Sequence, residues 1–395
     1  MNTKLVFRNF MGRMPVFVRK NATKHQVKKI LRFVMTKEDR EICENHPEKR
    51  REVVERYRRK FPEDAALLNR KIERVFKTNE RARSYPQQAQ VKEDMAFCWF
   101  WRGFHPDEYM FFHFNEENCD VELRKTFVSE QERWAFRFCA NDFSNPLLAD
   151  KAETYLKLRQ YYYRDVVILK GKDYLLFESF VKKHPVFVKK LVSSSRGRGV
   201  ELIDSGQYDS MRSCYDDIMK YGKVLLEERI VQSTEMDAFN HSSVNTVRVS
   251  TFTTRNGVIP VFGFFRTGRD GSFIDNAAAG GVFASVDAEK GVVCSEGCDE
   301  YGGRYPVHPD SKASFKDFRF PDWDMAIKLV KEAATQLPSY LFISFDLAHA
   351  DGKWMIVEVN PSGQFIQQGG TLSGFRSDLK EIIDKMDLFI PYRLD

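Results

Sequence analysis

The sequence predicts an α+β fold, with a helical N-terminal region followed by two strand-bearing units large enough to hold a cleft between them. Three observations predict it. Up to about residue 84 the pattern is helical and polar, with Lys and Arg interleaved with Glu as in EKRREVVERYRRK. Residues 186–230 alternate short apolar strands with one helix, and from residue 245 period-2 strands dominate. At 395 residues, 43% hydrophobic and 14% aromatic, the chain has material for two or three cores and does not read as a disordered tail.

The elements follow in order. The first 60 residues hold 18 Lys and Arg against 7 Asp and Glu, although the whole chain is only +6. So basic an arm can meet a membrane surface or an anionic polymer, and a solvated helical face explains it as well. No nucleic-acid motif accompanies it, so no nucleic-acid partner is expected. The stretch NERARSYPQQAQ at 79–90 reads as a linker, which bounds a first region at 1–90. A second region, 91–184, opens with the aromatic-rich run FCWFWRGFHPDEYMFFHF and contains a helix at 149–162. The third, 185–235, has strands at 186–190, 199–204 and 224–230, and a helix at 208–221 that Gly222 stops. The fourth, 236–395, carries the strands NTVRVSTFT and VIPVFGFFR around an Asn256-Gly257 turn, then VFASVD. A helix at 322–337, ended by Pro338, and the final strands LFISFDL and WMIVEVN complete it.

No run of about 18 apolar residues occurs, and no cleavable leader is visible. The seven cysteines are scattered and odd in number, which fits a reducing compartment and makes the cytoplasm the expected location. Cys294 and Cys298 lie close together with His308 downstream, but no fourth ligand stands at zinc-like spacing.

The strongest chemical signal is Glu358-Val359-Asn360 at a strand end, where alternation points Glu358 and Asn360 to one face. A three-residue turn at 351–353 would place Asp346 opposite Glu358 on that face, whereas a two-residue Asp351-Gly352 turn would reverse the parity. Three hard oxygens beside water and phosphate suit Mg²⁺; a polar outer sheet face is the alternative. Lys189 ends an apolar strand and precedes a loop of small and basic residues, 193–199, able to cradle phosphate oxygens. The strand Leu225–Ile230 could offer backbone groups to a base edge, and an ordinary edge strand would look the same. Arg248 inside a β-branched strand requires an anion, either a phosphate or a structural carboxylate.

In this order the pieces resemble the ATP-grasp superfamily, in which two α+β subdomains sandwich ATP. The residues that carry the likeness are Ala149-Asp150-Lys151, Val188-Lys189, Ser243 to Arg248, Asp275-Asn276 with Gly280-Gly281, His308-Pro309, Asp346 and Glu358-Val359-Asn360. They are most similar to the sugar-transfer-associated ATP-grasp family, found with polysaccharide biosynthesis. The resemblance implies a lid subdomain at 185–235 and a core subdomain with the metal site at 236–395, after an N-terminal part of the catalytic region at 91–184. It implies ATP and Mg²⁺ as cofactors. Lys151 and Lys189 would contact phosphates under the loop bearing Ser195, Gly197 and Gly199. Glu227, Glu228 and Ile230 would hold adenine, Glu235 would take the ribose, and Asn245, in the motif leading into the strand, would also bind the nucleotide. Arg248 and Lys189 would serve catalysis, and Asp346, Glu358 and Asn360 would bind the metal. Lys190 stands where the family usually has proline, so either lysine could reach the nucleotide.

The activity this implies is an ATP-dependent carboxylate–amine ligase forming an acyl phosphate, on a sugar-linked or cell-surface precursor. A kinase-like phosphotransferase and a non-catalytic ATP-binding protein docked to a membrane or anionic polymer are the rivals. Asp322-Trp323-Asp324 could be taken for a metal-binding motif of a glycosyltransferase, but it opens an amphipathic helix. His241, Ser242, Arg266, His308 and Gln364 are candidates for the acceptor side.

Overall fold

Helices fill the first third of the chain because its apolar residues recur at helical spacing. In the helix Pro62–Thr78, Ala65, Leu68, Ile72, Val75 and Phe76 are buried together. The structure, a computed structural model, describes residues 16–143, 145–193, 199–273, 275, 280–386, 388 and 390. Among the described residues no helix is long and apolar enough to cross a membrane.

The expected linker at 79–90 is packed helical structure instead. Asn79 donates to the Tyr301 carbonyl at 2.8 Å, Ala82 is fully buried, and Arg81 donates to the carbonyls of Met110 and Gly302. Asn79 and Arg81 there serve distant backbone, while Arg83, Ser84 and residues 86–90 are exposed. The expected boundary at 90 falls inside the helix Gln88–Arg102, whose run from Met95 to Arg102 is buried.

Two antiparallel sheets follow. β1 (Val166–Leu169), β2 (Val186–Leu191), β3 (Val200–Asp204) and β4 (Val224–Glu228) form the smaller, in the order β1-β4-β2-β3. One of its faces packs on the helices Tyr174–Lys183 and Met211–Met219 through Phe177, Phe180, Phe187, Ile218 and Leu226. The expected boundary at 185 cuts this unit, since β1 and the helix Tyr174–Lys183 precede it in the chain.

The larger sheet contains β5 (Thr246–Thr254), β6 (Gly257–Thr267), β7 (Val282–Asp287), β8 (Val292–Cys298), β9 (Arg304–Tyr305), β10 (Phe342–Ala350) and β11 (Lys353–Asn360). Their order is β11-β10-β5-β6-β7-β8-β9. The helix Trp323–Thr335 covers one face through Ala326, Val330 and Ala333, against Val249, Phe265 and Phe345. Asp322 is its N-cap, as the helix-start reading of that segment expects. On the opposite face Phe252, Phe262, Phe264, Phe283 and Phe342 join the N-terminal helices in one core. Strand alternation puts Thr246, Arg248, Arg266 and Asp346 on that same face, nearer the smaller sheet. The N-terminal helices thus cover half of a face whose other half is polar and looks onto a cleft.

Candidate functional site

The cleft is made where the β10–β11 hairpin meets the smaller sheet. Ala350 pairs with Lys353, so the turn is the two-residue Asp351-Gly352, both with positive φ. Unbroken, that turn would place Glu358 on the hydrophobic side. Leu347 pairs with Ile356 but Asp346 with Glu358, leaving Val357 as a one-residue bulge that restores the parity. The spacing of the buried residues records it: Trp354, Ile356 and Val359 all face the core. Asp346 and Glu358 therefore stand opposite one another, as the sequence reading expects, although by a shorter turn and a bulge.

Asp346 is almost fully buried. It accepts from Arg248 Nε at 2.5 Å and Nη2 at 2.8 Å, and from Asn360 Nδ2 at 3.2 Å, with Arg266 Nη2 at 3.1 Å. Burial alone would raise its pKa, but Arg248 and Arg266 reverse that and hold it at about 2. Asn360 spends its amide nitrogen on Asp346, which leaves the carbonyl arm, the atom a hard cation would use. Arg248 also donates to Gln364 Oε1 at 3.0 Å. Arg266 donates to Thr246, whose hydroxyl donates to Asp275; burial pushes the Asp275 carboxyl up.

Glu358 meets Lys151, with Nζ to Oε1 at 3.1 Å. Lys151 opens the helix Lys151–Leu158, which Asp150 caps by accepting from the amides of Ala152 and Glu153. Its own amide donates to the Val192 carbonyl at 2.9 Å, which ties this helix to the end of β2.

The smaller sheet contributes Lys190, Leu225 and Glu227. Glu227 accepts from Arg164 Nε at 3.0 Å and Nη2 at 2.7 Å, and from Lys190 Nζ at 2.8 Å. Burial would raise the Glu227 carboxyl, yet Arg164 and Lys190 hold it below the ordinary range. The same two cations bind the edge of β11: Arg164 Nη1 donates to Ile356 O at 2.7 Å, and Lys190 Nζ lies 3.4 Å from the carbonyl of the bulged Val357. The two sheets are thus joined through a buried ion cluster and an open strand edge. Between them lies a cleft of about 230 Å³, lined on its charged side by Lys151, Lys190, Glu227 and Glu358, with Asn360 and Tyr162 beside them.

The other expected residues are placed differently. Lys189 points to the helix-covered face, where it pairs with Glu201 at 2.8 Å and its ammonium stands 3.9 Å from the centre of the Tyr221 ring. Adjacent strand residues face opposite ways, so Lys190 and not Lys189 enters the cleft, correcting the expectation for Lys189. Glu228 accepts from the Asp165 amide at 3.0 Å, Ile230 packs against Ala348, Ala350 and Met355, and Glu235 is exposed. None of these three lines the cleft. Asn245 is fully buried, with Nδ2 donating to Met236 O at 2.8 Å and Asn240 O at 2.9 Å; it knots the loop before β5 and does not line the cleft either. Ser195 and Gly197 lie outside the described residues. Gly199 has φ +72° and accepts from the Leu191 amide, and a Cβ there would meet Leu191 at 2.5 Å. His308 is buried, its Nε2 donating to Gly268 O at 2.9 Å, and serves the fold. Sequence reading missed Arg164, whose one signal was a charge two residues before the apolar VVIL strand, with Asp165 between them.

Two antiparallel α+β units that face each other across a lysine- and carboxylate-lined cleft define the ATP-grasp class. The chain belongs to the sugar-transfer associated ATP-grasp family, whose model matches residues 163–382. The N-terminal helices lie outside the matched span. Among solved structures it is similar to the D-alanine–D-alanine ligase of Bacillus anthracis, at 14% identity over 63% of this chain and 69% of that one, with a TM-score of 0.38. It is also similar to the ATP-grasp ligase PsnB complexed with minimal precursor, at 11% identity over 61% of each chain, with a TM-score of 0.38. The N5-carboxyaminoimidazole synthetase of Staphylococcus aureus complexed with ADP is 9% identical over 61% of this chain and 53% of that one, with a TM-score of 0.37. No curated protein matches the chain.

Proposed function

We propose that the chain is an ATP-dependent carboxylate–amine ligase acting through an acyl phosphate, on a sugar-linked or cell-surface polysaccharide precursor. The observation that carries the reading is the convergence of Lys151, Lys190, Glu358 and Asn360 on one cleft between the two sheets. The nature of the substrate rests on the family's association with sugar transfer.

In this reading the triphosphate lies between the sheets. Lys151 and Lys190 neutralise its oxygens, and Arg248, once drawn from Asp346, balances the charge that develops on the transferred group. The substrate carboxylate attacks the terminal phosphorus and ADP leaves; an amine then attacks the acyl carbon, loses a proton and expels phosphate. Asp346, Glu358 and Asn360 form an all-oxygen donor set that fits Mg²⁺, which when bound would supply further charge neutralisation. Glu227 fixes Lys190 and Arg164, and the adjoining strand β4 leads to the segment expected to hold adenine. Seven free thiols agree with a cytoplasmic location. Exposed Lys24, Lys28, Lys29, Arg70, Arg74 and Lys77 support a contact of the N-terminal region with a membrane surface or an anionic polymer.

Incubation with ATP, Mg²⁺ and panels of acids and amines should release ADP and phosphate. Release of AMP and pyrophosphate would contradict the mechanism, and a stable phosphorylated product formed without amine would select a phosphotransferase. Glu358→Gln should abolish turnover with the fold intact.

A further inference from the structure

The loop that follows β11 is held from the N-terminal helices, which lie outside the span matched by the family model. Pairing of β10 with β11 ends at Ser344 and Asn360, so the ladder does not reach residues 361–364. Two buried side chains take over. Asn141 caps the helix Glu130–Ala140; its Nδ2 donates to Pro361 O at 2.6 Å and to Phe342 O at 2.7 Å, and its Oδ1 accepts from the Phe342 amide at 3.0 Å. One amide thus ties this helix to the start of β10 and to the loop. Arg133, in the same helix, donates from Nη1 to Gly363 O at 3.0 Å and lies 3.5 Å from Ser362 Oγ. Its Nε and Nη2 are fixed on the Glu130 carboxylate. Gly363 is pressed on the sheet, since a Cβ there would lie 2.4 Å from the Phe342 ring. Further on, the fully buried Gln368 exchanges hydrogen bonds with the amide and carbonyl of Val128, at 2.8 and 3.0 Å.

We infer that Arg133 and Asn141 are positioning residues for the proposed reaction, because the carbonyls they hold, at 361 and 363, fix the stretch of chain that sets Gln364 against Arg248. The inference rests on the ATP-binding reading above. Arg248 gives Nε and Nη2 to Asp346, and Nη1 to Gln364 Oε1 at 3.0 Å. The bonds to Asp346 join opposite charges and compete with a phosphate for the guanidinium. The bond to Gln364 goes to a neutral amide, so it can persist while the guanidinium turns toward the transferred group, and its anchor point decides the direction. Gln364 is exposed, so its backbone and not packing around its side chain places it. A slack loop would let it swing into water and leave Arg248 to Asp346 alone. The buried carbonyl of Gly363 needs a donor whatever the reaction, and a purely structural role would end there. The positioning role predicts an effect confined to the terminal phosphate, because Arg248 is assigned to that group and not to the two phosphates of ADP.

The probes are ADP and a non-hydrolysable ATP analogue, each with Mg²⁺, titrated by calorimetry. Arg133→Met should fold, because Glu130 is 31% exposed and keeps Trp134 Nε1 at 2.7 Å; thermal unfolding checks it. It should keep ADP affinity within about twofold of wild type and lose about threefold to tenfold for the analogue, the worth of one hydrogen bond. Asn141→Ser, which releases the other carbonyl, should show the same split and takes its place if Arg133→Met does not fold. Gln364→Ala should lose as much for the analogue. Combining it with Arg133→Met should weaken analogue binding no further, since the arginine acts through the glutamine. Equal losses for ADP and analogue, unchanged analogue affinity in Gln364→Ala or in the Arg133 and Asn141 variants, or additive losses in the double variant would overturn the inference and leave the ATP-binding reading standing. Failure of wild type to bind either nucleotide would bring down that reading, and the inference with it.

Discussion

Replacing Glu227 by Gln should destabilise the protein by about 3–5 kcal/mol, the usual cost of leaving buried charges without their counter-ion. The side chains of Glu227, Arg164 and Lys190 are 4%, 3% and 10% exposed, so water cannot take over the interaction. Glutamine keeps the shape and one acceptor oxygen but not the charge that balances two cations. It would also loosen their hold on the carbonyls of Ile356 and Val357. Glu201→Gln is the matched control on the other face of the same sheet. Its partner Lys189 is as close, at 2.8 Å, but Glu201 is 45% exposed and Tyr221 also receives the ammonium. Lys189 is itself only 2% exposed, but the substitution leaves a single cation, which Tyr221 still receives, so the loss of Glu201 should cost less than that of Glu227. Urea unfolding of nucleotide-free protein, followed by tryptophan fluorescence, gives the comparison. Midpoints that coincide for wild type and Glu227→Gln, or a larger loss in Glu201→Gln, would refute the argument that a buried ion cluster joins the two sheets.

Two further outcomes follow from the same structure. Folding lowers the Asp346 carboxyl from 3.8 to about 2, so its contribution to stability is complete above pH 3.8 and is lost as the pH falls through 2. The stability gap between wild type and Asp346→Asn, measured by denaturant unfolding across pH, should therefore hold down to about pH 4 and shrink below it; a gap that widens toward acid contradicts the assignment. In the short helix Gln367–Thr371, a Cβ on Gly369 would lie 2.1 Å from the Phe111 ring. Gly369→Ala should cost about 1–3 kcal/mol in thermal unfolding, and an unchanged transition would mean the N-terminal helices do not seat on the sheet as described.

Much of this was legible in the residues. Period-2 alternation with a tight turn gave the β5–β6 and β10–β11 hairpins, and the amphipathic spacing ended by Pro338 gave the helix over the larger sheet. Charge inside a β-branched strand marked Arg248, whose anion is Asp346. What alternation could not give was the choice between Lys189 and Lys190, since both follow an apolar strand and only the identity of the covered face decides. The Val357 bulge was half visible, in an apolar spacing that changes from two to three between Ile356 and Val359, and the turn length conceals it. Residues 79–90 were misread because a polar stretch looks the same whether its side chains meet water or, like Asn79 and Arg81, meet carbonyls more than 200 positions away. The strand β1, only four residues long, is too short to assert itself by pattern.

The claim on which the rest depends is that a nucleotide lies against the Lys190 face of the smaller sheet. Calorimetric titration of wild type, Lys190→Met and Lys189→Met with a non-hydrolysable ATP analogue and Mg²⁺ tests it most directly. A charge-assisted bond is worth roughly 1.5–3 kcal/mol, so Lys190→Met should lose about tenfold to a hundredfold in affinity, while Lys189→Met should stay within about threefold of wild type. The opposite ranking, or equal binding by all three, would contradict the account.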